Sequence, residues 1–264
     1  MARIFAVANQ KGGVAKTTTS VNLAASLAAM KRRVLLVDMD PQGNATMGSG
    51  VNKHEVEKSC CEVLLGEVPA SEAIVENSDA GISILPGNSD LTAAEVELMN
   101  AIAREQRLQR ALKEVDDSFD YIIIDCPPSL NMLTLNALVA AEGVIVPIQC
   151  EYYALEGLSA LLDSVSQIQE MINPELKLAG LLRTMHDPRN NLSNEVSEDI
   201  LQNFGDQVYR TIIPRNIRLA EAPSHGLPIL QYDRTSRGAL AYLALAGELV
   251  RRAEGEVLEV VGAA

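Results

Sequence analysis

The stretch that most restricts this chain is Asn9-Gln10-Lys11-Gly12-Gly13-Val14-Ala15-Lys16-Thr17-Thr18. An apolar run at residues 4–8 precedes it and reads as a buried strand. Residues 19–30 follow, with Val21, Leu23, Leu27 and Met30 at helical spacing. A glycine-rich turn between strand and helix curls its N–H groups inward, and the new helix brings its positive end to the same spot. Main-chain donors then hold a phosphate chain. Lys16 is expected to reach the β- and γ-phosphates of a nucleotide and the Thr17 hydroxyl to ligate Mg²⁺, with Gly12, Gly13, Val14, Ala15 and Thr18 completing the cradle.

The common form of this loop, G-x-x-x-x-G-K-[ST], is not met. Gln10 and Ala15 stand where it has glycines, and an additional lysine, Lys11, enters at the front. If the backbone at Ala15 takes a positive φ, its methyl group costs about 1–2 kcal/mol relative to glycine.

Further along, residues 33–37 read as a strand that ends in Asp38-Met39-Asp40-Pro41-Gln42-Gly43-Asn44. Its two aspartates leave the carboxyl end, where open α/β sheets bind ligands. Taken alone, Asp-Pro and Gln-Gly-Asn are turn chemistry. Residues 121–124, Tyr-Ile-Ile-Ile, form a β-branched run that suits a strand buried on both faces, and it too ends in an acid, Asp125. An acid at that place, roughly a hundred residues after a phosphate loop, is expected to hold Mg²⁺ directly or through water.

The other elements are expected as follows: a short helix at 59–65, a strand at 82–86, one long helix over 88–115, a helix at 131–141 and a strand at 143–148. A helix ending near 172, a strand at 176–185, a helix at 193–204 and a strand at 207–213 come next. Pro214-Arg215-Asn216 lies at that last strand's end, where Pro214 and Asn216 could hold a nucleobase. A helix at 238–252 closes the fold, and 254–264 reads as a fraying tail. The expected architecture is α/β: a single three-layer domain over residues 1–264, a mostly parallel twisted sheet with helices on both faces. With its phosphate loop it is expected to be a P-loop NTPase, of the deviant Walker A type.

Composition fits that plan. Hydrophobic residues make up 47% of the chain and aromatics only 3%, so the core must be Ala, Leu, Ile and Val. A net charge of −13 excludes nucleic-acid binding through overall charge and demands a local basic patch instead. Cys60, Cys61, Cys126 and Cys150 make no C-x-x-C pair, which points to buried free thiols in a reducing compartment. The chain leads straight into a strand, and no apolar run approaches the ~20 residues that span a bilayer. A cytoplasmic protein is expected.

The loop with its additional lysine resembles the ParA/MinD group of ATPases. Residues 11–18, 34–44, 122–128, 150–158 and 213–228 together resemble the small chromosomal ParA proteins, also called Soj, across essentially the whole chain. Cys-Glu-Tyr-Tyr-Ala-Leu-Glu-Gly at 150–157 and Ile-Pro-Arg-Asn-Ile-Arg-Leu-Ala-Glu-Ala-Pro-Ser-His-Gly at 213–226 make that resemblance specific.

The resemblance implies a mechanism. ATP joins two subunits face to face, each Lys11 reaching the other's phosphates. Asp40, the second aspartate of Walker A′, orients the attacking water, and Thr17, Asp38 and Asp125 form the Mg²⁺ set. The homodimer binds double-stranded DNA without sequence preference and is released when a ParB-type centromere-binding protein stimulates hydrolysis. Arg183, Arg189, Arg215, Arg218, Arg234 and Arg237 are the candidate basic groups, with Arg189 and Arg218 matching positions implicated in DNA contact. Rival readings are a MinD-like positioning ATPase, an iron–sulfur reductase and a nucleotide-dependent filament. The acidic C-terminal stretch makes a poor membrane anchor, and neither Cys126 nor Cys150 has an evident cluster role.

Overall fold

The computed structural model describes residues 1–77, 81–152 and 154–262. Tyr153, within the stretch that carries the resemblance, and Ala263 and Ala264 of the expected tail lie outside the described residues.

In chain order the elements are β1 (Arg3–Val7), α1 (Lys16–Ala29), β2 (Val34–Asp38), α2 (Asn44–Gly48), α3 (Cys60–Leu65), α4 (Ala70–Ala73), β3 (Val75–Asn77) and β4 (Ile82–Leu85). Then come α5 (Leu91–Leu98), α6 (Arg107–Lys113), β5 (Tyr121–Asp125), α7 (Met132–Ala140), β6 (Gly143–Gln149), α8 (Ala154–Met171) and β7 (Lys177–Thr184). The chain closes with α9 (Asn191–Phe204), α10 (Ile217–Glu221), α11 (Ile229–Tyr232) and α12 (Arg237–Gly262).

The strands form one sheet in the order β3-β4-β2-β5-β1-β6-β7. All neighbours are parallel except β3, which runs antiparallel along the β4 edge. Two apolar cores flank the sheet because successive side chains of a strand face opposite ways. Leu35, Val37, Ile122 and Ile124 enter the core shared with α3, α5, α6, α7 and α8. Val34, Leu36, Tyr121 and Ile123 enter the one built with α1 and α12. The three layers expected from the sequence are therefore present, and the parallel arrangement brings the carboxyl ends of β1, β2, β5, β6 and β7 to one rim.

Two expectations about elements are corrected. Residues 88–115 are not one helix. After α5 the chain turns through Ala103, which has φ 50°, and a 3₁₀ turn, Arg104–Gln106, before α6 starts. Asn136 of α7 stabilises the break: its Nδ2 donates to the Arg104 carbonyl at 2.8 Å, and its Oδ1 accepts from the Leu108 N–H at 3.2 Å. Val96 and Ile102 are 67% and 88% exposed, so the stretch does not bury one continuous apolar face.

Residues 207–213 are not a strand. Only isolated bridges tie this segment to β7, with Tyr209 N donating to Leu181 O and Ile213 N to Arg183 O, both at 2.9 Å. Between them the N–H groups of Arg210 and Thr211 donate to the Glu248 carboxylate of α12 at 2.8 and 2.9 Å. A helix side chain has taken the donors that a strand would have given its neighbour.

The last helix, α12, runs to Gly262. Among the described residues no helix is long and apolar enough to cross a membrane.

Candidate active site

The phosphate loop runs from Asn9 to the first turn of α1 at the carboxyl rim. Two of its residues are left-handed, Gly13 at φ 73° and Ala15 at φ 67°. Ala15 thus bears the strain that the sequence made conditional, about 1–2 kcal/mol. Its conformation turns the chain into α1, whose first helical bond runs from Thr19 N to Ala15 O at 2.9 Å. The N-terminus of α1 has no side-chain cap and no acid in its first turn, so its donors can serve an anion. A Cβ built on Gly12 or Gly13 meets nothing within 4 Å, so the cradle is open on that side.

Other strands fix the loop in place. Asn9 Nδ2 donates to the Pro147 carbonyl of β6 at 2.8 Å, and Asn9 Oδ1 accepts from the Lys11 N–H at 2.9 Å. The Thr184 hydroxyl, at the end of β7, donates to the Val14 carbonyl at 3.0 Å. The Thr18 carbonyl accepts from Asn22 Nδ2 at 2.8 Å, while Asn22 Oδ1 takes the Ile229 N–H at 2.7 Å.

The two lysines behave differently. Lys16 is 7% exposed, and its ammonium donates to the Lys11 carbonyl at 3.1 Å. Burial lowers its pKa, and nearby Asp125 opposes that shift. The Lys11 ammonium instead lies at the surface and donates to Glu151 Oε2 at 2.8 Å.

The acids converge on the same rim. Asp38 and Asp125 are register partners at the ends of β2 and β5, and both are fully buried. Asp125 Oδ2 accepts the Thr17 hydroxyl at 2.8 Å, and Oδ1 accepts the Ser20 hydroxyl at 2.7 Å. Asp38 Oδ2 accepts the Thr46 N–H and hydroxyl at 2.8 and 2.7 Å, and Oδ1 accepts the Asp40 N–H at 3.2 Å. Burial pushes both carboxyls well above the usual range; for Asp125 the neighbouring Asp38 is the next cause. Asp40 is 8% exposed and accepts the Gln42 N–H at 2.9 Å.

Two buried carboxylates beside a threonine hydroxyl are hard oxygen donors that suit Mg²⁺. Among the described residues no group of three carboxylates, imidazoles or thiols is arranged to hold a metal ion on its own. Mg²⁺ generally keeps several waters and takes one or two carboxylates together with substrate phosphates, which two aspartates and a threonine hydroxyl can satisfy. When bound, Mg²⁺ would supply charge neutralisation at the phosphates, with Thr17, Asp38 and Asp125 as the residues that would hold it.

Other expected residues lie outside this cluster. Pro214 bridges His186 just past β7, and Asn216 Oδ1 caps α10 through the Leu219 N–H at 3.2 Å. Arg189 makes a two-pronged pair with Asp187 at 2.9 and 2.8 Å, which holds that carboxyl far below its ordinary range. Arg218 pairs with Glu221 at 2.9 Å and Asp233 at 3.6 Å. Both arginines are exposed. Arg183 is not: it is 5% exposed, donates to the Ser197 hydroxyl and the Tyr209 carbonyl, and so leaves the candidate basic patch. All four cysteines are buried free thiols.

Sequence reasoning missed Ser20, Thr46, Asn9 and Thr184, which orient the acids and the loop. Only Ser20 carried a signal, since it lies one helical turn after Lys16 and faces the same way.

This fold and rim define a P-loop ATPase with a two-lysine phosphate loop. An AAA domain family profile matches residues 2–178. The sporulation initiation inhibitor protein Soj of Bacillus subtilis is 53% identical over 94% of this chain and 98% of its own length. The chromosome partitioning protein ParA of Myxococcus xanthus is 51% identical, over 95% of this chain and 88% of its own. A structure of cobyrinic acid a,c-diamide synthase from Mycobacterium smegmatis, with an ATP analogue and magnesium bound, superposes with TM-score 0.85 at 43% identity over 96% of each chain. The chain belongs to the ParA/Soj family of chromosome-partitioning ATPases, and its cofactors are ATP and Mg²⁺.

Proposed function

We propose that this protein is a weak ATPase that works as a DNA-segregation switch. Two copies pair across bound ATP, the pair holds duplex DNA without sequence preference, and hydrolysis stimulated by a ParB-type partner releases it. The observation that carries the reading is the division of labour between the loop lysines. Lys16 is buried against its own loop, whereas the Lys11 ammonium stands outside on the rim. A second cation on the outer side of a phosphate cradle finds a phosphate when another copy meets that face. Lys11, Lys16 and the cation then stabilise developing charge, and Asp40 positions the water.

Arg189 and Arg218 are the proposed DNA contacts. Each now pairs with a carboxylate at the surface, where water and salt screen the pair, so a DNA phosphate can take the carboxylate's place. Pro214 and Asn216 are proposed to border the base. A cytoplasmic, nucleoid-associated place follows from the proposed binding of duplex DNA.

Sedimentation and ATPase assays with DNA and the ParB-type partner, alone and together, test the reading. Lys16→Ala is expected to lose nucleotide binding. Asp40→Ala is expected to bind ATP and remain a dimer without turnover. A monomeric Asp40→Ala protein in saturating ATP would overturn the shared-site reading. ATP-dependent particles much larger than a dimer would favour the filament.

A further inference from the structure

We propose that Glu151 is a positioning residue for Lys11: it holds the lysine ammonium in cis until a phosphate takes its place. The inference rests on the reading that Lys11 serves the nucleotide of a second copy.

Lys11 is held at three points. Its N–H donates to Asn9 Oδ1, its carbonyl accepts the Lys16 ammonium, and its own ammonium donates to Glu151 Oε2 at 2.8 Å. The first and third contacts lead to the same strand. Asn9 is tied to the Pro147 carbonyl within β6, and Glu151 lies just beyond the end of β6, its N–H donating to the Gln149 carbonyl at 2.8 Å. The backbone of Lys11 and the group that receives its head are therefore referenced to one rigid element. This makes the contact more than a chance meeting of two flexible side chains.

The pair is half exposed, with side-chain exposures of 40% for Lys11 and 48% for Glu151. An exposed pair of this kind is weak and screened by salt. A weak holder suits the task. It keeps the ammonium at the rim, close to where a second copy would arrive, and it yields to the stronger multiple charge of a triphosphate. A carboxylate beside Lys11 also opposes the approach of other anions, so it raises the threshold for pairing without blocking it. Glu151→Gln removes that competitor while keeping a similar shape and an acceptor oxygen.

The test is sedimentation velocity with a non-hydrolysable ATP analogue and Mg²⁺, comparing the parent protein with Glu151→Gln, Glu151→Asp and Lys11→Ala. Glu151→Gln is expected to pair up to about five-fold more tightly, the equivalent of roughly 1 kcal/mol. Glu151→Asp is expected to stay near the parent. The gain should shrink between about 50 mM and 500 mM salt, as screening weakens the ion pair that the substitution abolishes; a purely structural effect would not follow salt in this way. The affinity of the monomer for ADP, followed with a fluorescent analogue, should be unchanged in Glu151→Gln, which also verifies its fold.

If Lys11→Ala loses pairing but Glu151→Gln pairs no better than the parent, the holding role is overturned and the trans role of Lys11 stands. If Lys11→Ala pairs as well as the parent, both are overturned.

Discussion

Asp38 and Asp125 stand opposite each other, in register, at the carboxyl ends of adjacent parallel strands, and neither is exposed to solvent. Ionising two carboxyls buried side by side costs stability unless a cation joins them, which is why both are raised above the usual range. Asp125→Asn keeps an acceptor for one hydroxyl, and its amide can donate to the other. The nucleotide-free variant is expected to be more stable than the parent by about 1 kcal/mol, a rise in Tm of about 2–4 °C for a chain of this size. Melting curves with ATP should then lose the Mg²⁺-dependent increase that is expected of the parent. A variant that melts lower than the parent without nucleotide would contradict this account of the pair.

Ala15 and Gly87 make opposite predictions about a single methyl group. Ala15→Gly relieves a left-handed φ of 67° worth about 1–2 kcal/mol but frees the unfolded chain by about 0.4–1 kcal/mol. Stability should rise by no more than about 1.6 kcal/mol, and ATP affinity should change by less than about ten-fold. At Gly87 an added Cβ would lie 2.4 Å from the Asp38 carbonyl oxygen and 3.1 Å from its carboxyl carbon. Gly87→Ala should cost about 1–3 kcal/mol and displace Asp38, so denaturant unfolding and Mg²⁺-dependent ATP binding should both suffer.

Glu248 gives the fold a pH dependence far from the nucleotide. Burial tends to raise its carboxyl, but the N–H groups of Arg210 and Thr211, the Thr211 hydroxyl and Arg252 outweigh burial and hold it below 4.5. A depressed folded pKa contributes stability above the unfolded value that is lost as pH falls through the folded one. Glu248→Gln should therefore destabilise by about 1–3 kcal/mol at pH 7. The difference between variant and parent should narrow as pH drops below 4.5. Urea unfolding at pH 7 and at about pH 3.5 measures both, and an equal difference at the two would remove the carboxylate from the account.

For DNA, Arg189→Glu replaces an exposed cation, so the fold and ATP binding should survive. Duplex affinity in ATP should fall by an order of magnitude or more. The log–log salt slope should drop by about 0.9 for each phosphate that the variant no longer neutralises, twice over in a dimer. Filter binding with unrelated duplexes across a salt series measures this. Affinity equal in ADP and ATP, or unchanged in the variant, would place the DNA-binding surface elsewhere.

What could be read from the sequence was local. Lys11 to Thr18, Asp38 and Asp125 each declare themselves by type and by position relative to a strand end, and the structure gathers them at one rim. Their partners are set by tertiary approach: Ser20 and Asp125 are 105 residues apart, so neither reports on the other. The break after α5 is decided in the same way, by Asn136 some thirty residues later. The 207–213 segment looks like a strand until Glu248 claims its donors. Arg183 was legible and misjudged, since Leu-Leu-Arg-Thr within a strand covered on both faces leaves no outward side.

The margins of the sheet carry a last consequence. One ends in the three-residue antiparallel β3, and at the other the segment from Val208 to Pro214 lies over β7, with Glu248 taking two of its spare donors. Short or covered margins deny a neighbouring molecule a template for strand addition. Strand-to-strand addition is thus discouraged at both margins, and the pairing proposed above is left to surfaces that a nucleotide can govern.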